Sequence, residues 1–229
     1  MLENEKLIYM VAGLLGGLAC LGCLIWIFIW NKRKNQERTQ SLEQGMRYLG
    51  LSFHGDPDES AGKLLASHPL GKCGSPKGAS KVGRGSYRNH EVVIFEYTYL
   101  IHTGKSSHAI IQTVVILKNE HNFPDLDMGS ESFFDRFKEY FGAQDIDFSS
   151  HPDFSNKYRL RGEDENAICD LFRPSVREYF EQGDTIQLDI KADQILIYRP
   201  GKYCKSGEEL EPVLQRAVQI KEVLSGKSY

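Results

Sequence analysis

The chain lacks the residues that make a covalent or metal scaffold. Its five cysteines, Cys20, Cys23, Cys73, Cys169 and Cys204, are odd in number and mostly far apart. That is no secreted disulfide framework, and it fits a reducing compartment. No charge sign dominates: 28 Lys and Arg stand against 31 Asp and Glu, for a net charge of −3. A balance so near zero is too small to imply a nucleic-acid binder by itself, and no nucleic-acid partner is expected. The chain has no GxSxG elbow, no complete GxxxxGK[ST] loop and no internal repeat, so the hydrolase and phosphate-loop signatures are missing. Charge of either sign is also missing from Leu7 to Trp30, a run of 24 residues.

That uncharged run is the most specific feature present. As a helix it would rise ~36 Å, enough for a hydrocarbon core of ~30 Å. Tyr9 at one end and Trp26 and Trp30 at the other suit the two interfaces. Lys32, Arg33, Lys34 and Arg38 follow the run, whereas Lys6 precedes it beside Glu3 and Glu5. This asymmetry predicts, by the positive-inside rule, a signal-anchor with its N-terminus outside. The expected organisation is an extracytoplasmic stretch over 1–6, a single-pass transmembrane helix over 7–30, a basic juxtamembrane linker over 31–44, and a cytoplasmic domain over 45–225. The expected localisation is a cell (inner) membrane. A cleaved signal peptide would place its basic residues before a shorter apolar core. The lipid bilayer is then the first partner, with Lys32, Arg33, Lys34 and Arg38 contacting anionic lipid. Gly13 and Gly17 form a small-xxx-small pair that would let two helices approach in a homodimer, although glycine is common in membrane helices anyway.

Beyond the linker the periodicities predict an α+β domain of antiparallel hairpins packed with helices. Leu42, Met46 and Leu49 recur at helical spacing in a polar helix over 35–49. Strands are expected at 51–53, 80–88, 91–101, 108–117, 185–190 and 194–198, with shorter candidates at 146–148 and 157–160. Val93, Phe95, Tyr97, Tyr99 and Ile101 fall on one strand face. Helices are expected at 60–67, 132–141, 163–172, 174–181 and 211–224, with Pro174 opening its helix. Residues 71–86, rich in Gly, Ser and Lys, read as a long loop, whose glycines supply flexibility, or as the ragged start of a strand.

Candidate sites are few. From Ser60 to His90 there are six basic residues and no acid, whereas from Glu120 to Asp193 there are 18 acids and 8 bases. The basic stretch over 72–88 is either a lipid-facing loop or an ordinary solvated one. His102 and His108 flank a hairpin turn, but two ligands do not define a metal site. His90-Glu91 starts like a zincin motif without its second histidine. Asp145, Asp147, Asp153, Ser149, Ser150 and His151 are close in sequence, which is not yet catalytic geometry. No catalytic, metal or cofactor residue, and no cofactor, is assigned on these grounds.

The run from Asp145 to Gly162, followed by Glu163 to Phe172, resembles a pattern in uncharacterised bacterial single-pass membrane-anchored proteins that carry a cytoplasmic domain of unknown function. Phe154 and Tyr158 occupy the F-x-x-x-(Y/F) positions ahead of an acidic helix start. The resemblance implies a bacterial source and brings no activity, cofactor or catalytic residue with it. Read from the residues alone, Phe154 and Tyr158 are core aromatics. The functional expectation is an anchored module that binds a protein partner or the anionic inner leaflet. A tethered hydrolase-like enzyme with an unrecognised site, or a small-ligand sensor with an apolar cavity between sheet and helices, is the alternative.

Overall fold

The structure is a computed structural model. It describes residues 2–226 except 56, 76, 105, 137–144 and 149, and the side chains of 2–16, 18, 19, 103, 132, 135 and 136 also lie outside the description. The chain divides into two compact units, 1–41 and 42–229.

The first unit is helical. Helix α1 runs Leu2–Tyr48 and contributes its part up to Ser41. From Leu21 to Trp30 its large apolar side chains stand open, Trp26 at 66% and Phe28 at 69% exposure. The rings of Trp26 and Trp30 stack at 6.4 Å, and the Lys34 ammonium lies 5.1 Å from the Trp30 ring. Among the described residues no helix is long and apolar enough to cross a membrane. The expected transmembrane helix over 7–30 is therefore corrected, and with it the signal-anchor, the single-pass topology and the inner-membrane localisation with an outer N-terminus. The Gly13 side of the homodimer pair lies outside the described residues. At Gly17 an added Cβ would meet nothing within 4 Å.

The second unit is α+β. Its eight strands are β1 Leu51–His54, β2 Lys77–Tyr87, β3 His90–Thr103, β4 Ser106–Lys118, β5 Leu126–Gly129, β6 Arg159–Arg161, β7 Gln187–Lys191 and β8 Gln194–Tyr198. They form one sheet in the order β1-β2-β3-β4-β8-β7-β5-β6, antiparallel at every pairing. Both faces are covered, so strict apolar–polar alternation is lost in the middle strands. One face carries the larger core: Val92, Ile94, Val115, Met128, Leu188 and Ile195 pack against helices. These are the end of α1, α5 Pro152–Lys157, α6 Glu165–Leu171, α7 Pro174–Glu181 and α8 Leu210–Leu224. The other face carries Phe95, Tyr97, Tyr99, Val114 and Leu196 beneath α2 Glu59–Leu64 and α3 Pro69–Lys72, with Phe133 from α4 Glu131–Arg136.

Local chemistry explains the element boundaries. Asp58 caps α2, its carboxylate accepting from the Ser60 and Ala61 amides at 2.8 and 3.1 Å. The Ser60 hydroxyl bond, then the Ala61 amide and the Arg84 guanidinium, hold that carboxyl down to about 2 against the opposing effect of burial. Pro174 stands at the first turn of α7, where a missing N–H costs nothing. Leu42 and Met46 are buried at 3% and 2%, which docks the end of α1 on the sheet. A Cβ at Gly45 would fall 2.5 Å from the Gly207 Cα, so two backbones meet there and only glycine fits.

Two segments differ from the sequence expectation. Residues 77–87 form strand β2, so the strand expected at 80–88 begins three residues earlier, inside the stretch read as a loop or a ragged strand start. Its Gly83 gives room to Met46, whose sulfur would lie 2.8 Å from an added Cβ. The glycine therefore serves close packing where flexibility was expected. The register shifts between Ser80 and Gly83, and the bulge residue Lys81 turns inward at φ 52° to meet Glu96 at 3.0 Å. Residues 146–148 form no strand; a single bridge joins Asp145 to Arg161. Of the expected 132–141 helix, α4 covers Glu131–Arg136, and 137–141 lie outside the described residues.

Candidate functional site

The residues singled out by sequence do not assemble into one centre. Arg159 reaches Glu131 at 3.0 Å, Asp145 at 3.7 Å and Asp147 at 4.0 Å, and Arg161 also pairs with Asp145. The acids are thus part of an ion-pair cluster at the β6 edge. His151 lies at the start of α5, its Nδ1 3.0 Å from the Ser150 hydroxyl; Ser149 lies outside the described residues. His102 is in register with Ser107 and His108 with Ile101, so alternation turns the two histidines to opposite faces. Among the described residues no group of three His, Cys, Asp or Glu is placed to hold a metal. The basic stretch is largely engaged: Lys81 with Glu96, Arg84 with Asp58 at 3.3 Å, and Lys77 with the Gly71 carbonyl. Lys32, Arg33 and Lys34 are exposed on α1, with Arg33 pairing Glu37 at 3.2 Å, and Arg38 is half-buried.

What the structure builds instead is a cavity of about 600 Å³ on the helix-covered face, between strands β4 and β8 and helix α8. Its floor is Thr113 and Val115 from β4 and Ile197 from β8. Ile186 closes one side, and Pro212, Val213 and Arg216 of α8 close the other. The interior is mainly apolar, as cavities for organic ligands are.

Three devices hold the walls. The first is the 199–204 segment, which continues alongside β4 beyond the end of β8. The Thr113 amide donates to the Lys202 carbonyl at 2.9 Å, and the Thr113 hydroxyl accepts from the Cys204 amide at 2.8 Å. The Gln112 side-chain oxygen accepts from Gly201 at 3.2 Å, where φ of 69° favours glycine. The second is Lys157, whose ammonium donates to the carbonyls of Phe180, Glu181 and Gly183 at 3.0, 3.0 and 2.7 Å. Those carbonyls are left over at the end of α7, and a cation there also complements the helix dipole. Burial, then the Arg216 charge, push the Lys157 pKa down. The third is Arg216, which donates to the Tyr179 hydroxyl at 2.6 Å and stacks 4.3 Å from its ring.

The charged residues of the lining are Arg199, Lys202 and Arg216 with Asp184 and Glu209. Arg199 pairs Asp184 at 2.5 Å, an exposed contact of little energetic weight. Glu209 accepts from the Lys205 amide at 2.8 Å. Arg216 is held by a neutral phenol. Three cations against two acids leave the lining positive by one charge beside its apolar residues. Cys204 is buried at the wall, its thiol directed to the Glu209 carbonyl at 3.6 Å.

Replacing Lys157 with methionine should unpin the 181–184 wall. Three carbonyls lose their charged donor, and the loss of a charge-assisted bond costs on the order of 1.5–3 kcal/mol. Hydrogen exchange at Gly183–Thr185 should accelerate while the β3–β4 amides stay protected. Equal protection of both regions in the variant would refute the pinning role.

No protein-family model matches the chain, and no curated protein matches it. Its fold is similar to the crystal structure of the mycobacterial trehalose monomycolate transport factor A, TtfA. The match has a TM-score of 0.54 at 11% identity and covers 81% of this chain and 93% of that one. At that identity the likeness concerns the fold.

Proposed function

We propose that the 42–229 unit is a non-enzymatic binding module for an amphiphile, an apolar chain bearing an acidic head. The observation that carries this reading is the cavity itself. Val115, Ile186, Ile197 and Val213 offer an apolar slot, and Arg199, Lys202 and Arg216 line the same cavity and can pair with an acidic head. Burial of an acyl-like chain yields ~0.8 kcal/mol per CH₂, and the cations of the lining select the head. The structurally similar mycobacterial protein is a trehalose monomycolate transport factor, which supports a lipid-related role for this fold. The sheet and helices supply the apolar cavity that a ligand-sensing role requires.

A contact with lipid surfaces belongs to the same reading. The apolar side chains from Leu21 to Trp30 are open, and Lys32, Arg33, Lys34 and Arg38 follow them. Exposed apolar surface of this extent marks an interaction site, and each basic residue near anionic lipid contributes ~1 kcal/mol. The occupant proposed for this stretch is the surface of an anionic lipid layer.

The test is a titration of the full chain with a lysophosphatidate below its micelle concentration, followed by calorimetry, alongside a neutral single-chain detergent and inorganic phosphate. One-to-one binding of the lysophosphatidate, weaker binding of the detergent and none of phosphate is expected. Equal binding of all three, or of none, overturns the amphiphile reading. Sedimentation with anionic and neutral vesicles tests the second contact, which should depend on salt and on Lys32, Lys34 and Arg38.

A further inference from the structure

A second polar centre lies on the opposite face of the sheet, away from the cavity. Asp127 of β5 and Asp189 of β7 are direct cross-strand partners. Their neighbours Leu126, Met128, Leu188 and Ile190 point into the larger core, so alternation turns both carboxyls to the other side. There they lie beneath the strap formed by residues 58–75, which carries α2 and α3. Lys191 is committed to Asp127, its ammonium 3.0 Å from Oδ2. Asp189 is 1% exposed, its oxygens accept from no N–H or hydroxyl donor among the described residues, and its carboxyl meets that of Asp127, with which it can share a hydrogen bond only when one of the two is protonated.

His68, fully buried in the strap between α2 and α3, is the group that faces it. Its Nδ1 lies 3.9 Å from Asp189 Oδ2, and its Nε2 lies 3.2 Å from the Gln194 side-chain oxygen. An amide oxygen accepts, so Nε2 carries the ring proton and Nδ1 turns a lone pair toward Asp189. A bare carboxylate in that setting would be buried, unpaired and opposite a second acid, an arrangement strongly disfavoured.

We propose that Asp189 and His68 form a buried proton-binding site that keeps the 58–75 strap seated on the sheet while Asp189 carries its proton. Burial, with Asp127 adding to it, raises the Asp189 carboxyl well above the ordinary carboxylate range, and Lys191 opposes this. Burial lowers the His68 pKa, and the Gln194 bond opposes that. Asp125 ahead of β5 and Lys191 on β7 act on His68, Cys73 in the strap and Tyr198 on β8 lie within electrostatic reach of Asp189, and Lys77 on β2 and Tyr99 on β3 act on Cys73 and Tyr198. Burial pushes the Cys73 thiol up to about 12 and raises Tyr198 as well, so both stay neutral with Asp189.

The signs follow from linkage. For Asp189 the seated state holds a proton that the released state gives up, so seating weakens as pH rises from the ordinary carboxylate range through the raised value. For His68 the released state binds the proton more readily, so seating also weakens as pH falls below 6.5. The strap is therefore held best between two limits. On the alkaline side, loss of one proton weakens it by about tenfold per pH unit.

Hydrogen exchange of the full chain, corrected for intrinsic rates, tests this at the strap amides of His68, Gly71 and Cys73, which bond to Leu65, His68 and Leu70 carbonyls. In the native protein their protection should fall with about unit slope as pH rises. In Asp189→Asn, which keeps the shape of the protonated acid, the alkaline fall should vanish. An unchanged fall in that variant overturns the proposal. Should the variant not fold, infrared spectroscopy of native protein carrying ¹³C-labelled aspartate decides. A protonated carboxyl band at neutral pH, lost in step with strap protection on alkalinisation, supports the proposal, and its absence overturns it.

Discussion

Substituting tryptophan for Val213 should weaken amphiphile binding at least about tenfold, a change of ~1.4 kcal/mol, while leaving the thermal midpoint nearly unchanged. Val213 is half-buried on α8, and its side chain lines the cavity beside Pro212 and Arg216. The indole would occupy space within the roughly 600 Å³ available to a ligand. Because the position is partly open, the added bulk can be taken up without forcing the core apart. Calorimetric titration with lysophosphatidate, paired with a melt followed by circular dichroism, separates the two effects. Native affinity in a folded variant would place the ligand elsewhere.

Truncating Phe154 to alanine should have the largest effect on stability, on the order of 3–5 kcal/mol. Phe154 is fully buried on α5. Its ring lies 5.7 Å from Phe148, 5.5 Å from Tyr158 and 5.8 Å from Phe172. Phe180 extends the cluster, 5.9 Å from Phe172 and 6.0 Å from Tyr158. The ring therefore joins three short helices that are individually too brief to be stable. The cost is a large share of the 5–15 kcal/mol typical of a whole domain. Urea unfolding should show a lower midpoint with an unchanged slope. Leucine at the same position should cost less, since it leaves a smaller void. A loss below ~1 kcal/mol in the alanine variant would mean that α5 does not organise this part of the core.

Much of the architecture was legible where local patterns are long. The β3–β4 hairpin announces itself through alternation from Val93 to Ile101, and Phe95, Tyr97 and Tyr99 are indeed buried together. Helix α8 and the β7–β8 hairpin were legible for the same reason. Strand β5 was not, because Leu126–Gly129 spans four residues and has only Leu126 and Met128 as apolar side chains to mark a period. Helix α5 escaped notice because a six-residue element with one apolar anchor, Phe154, has no period to read. In β2 the strand was legible over 80–88, but its start at Lys77 was not, because glycines and the bulge at Ser80–Gly83 break the alternation there.

The cavity had no sequence signature at all. Its lining comes from β4, from the 183–186 segment, from β8 with the 199–204 segment, and from α8. No single segment holds more than a fragment of it, and its residues read individually as ordinary core and surface. The acids near 145–153 attracted attention by proximity in sequence, yet Arg159 and Arg161 draw Asp145 and Asp147 into ion pairs. Asp127 and Asp189 stand far apart along the chain and become neighbours only through strand pairing. A single hint was available: an acid in an alternating strand, Asp189 between Leu188 and Ile190.

The most direct measurement is methyl NMR of the full chain during titration with lysophosphatidate. The methyl signals of Val115, Ile186, Ile197 and Val213 should move together and saturate at one equivalent, while Ile94 and Ile168, in the same core but outside the cavity, stay in place. Shifts confined to Leu21–Ile29, with the cavity methyls unmoved at saturation, would contradict ligand binding by this unit.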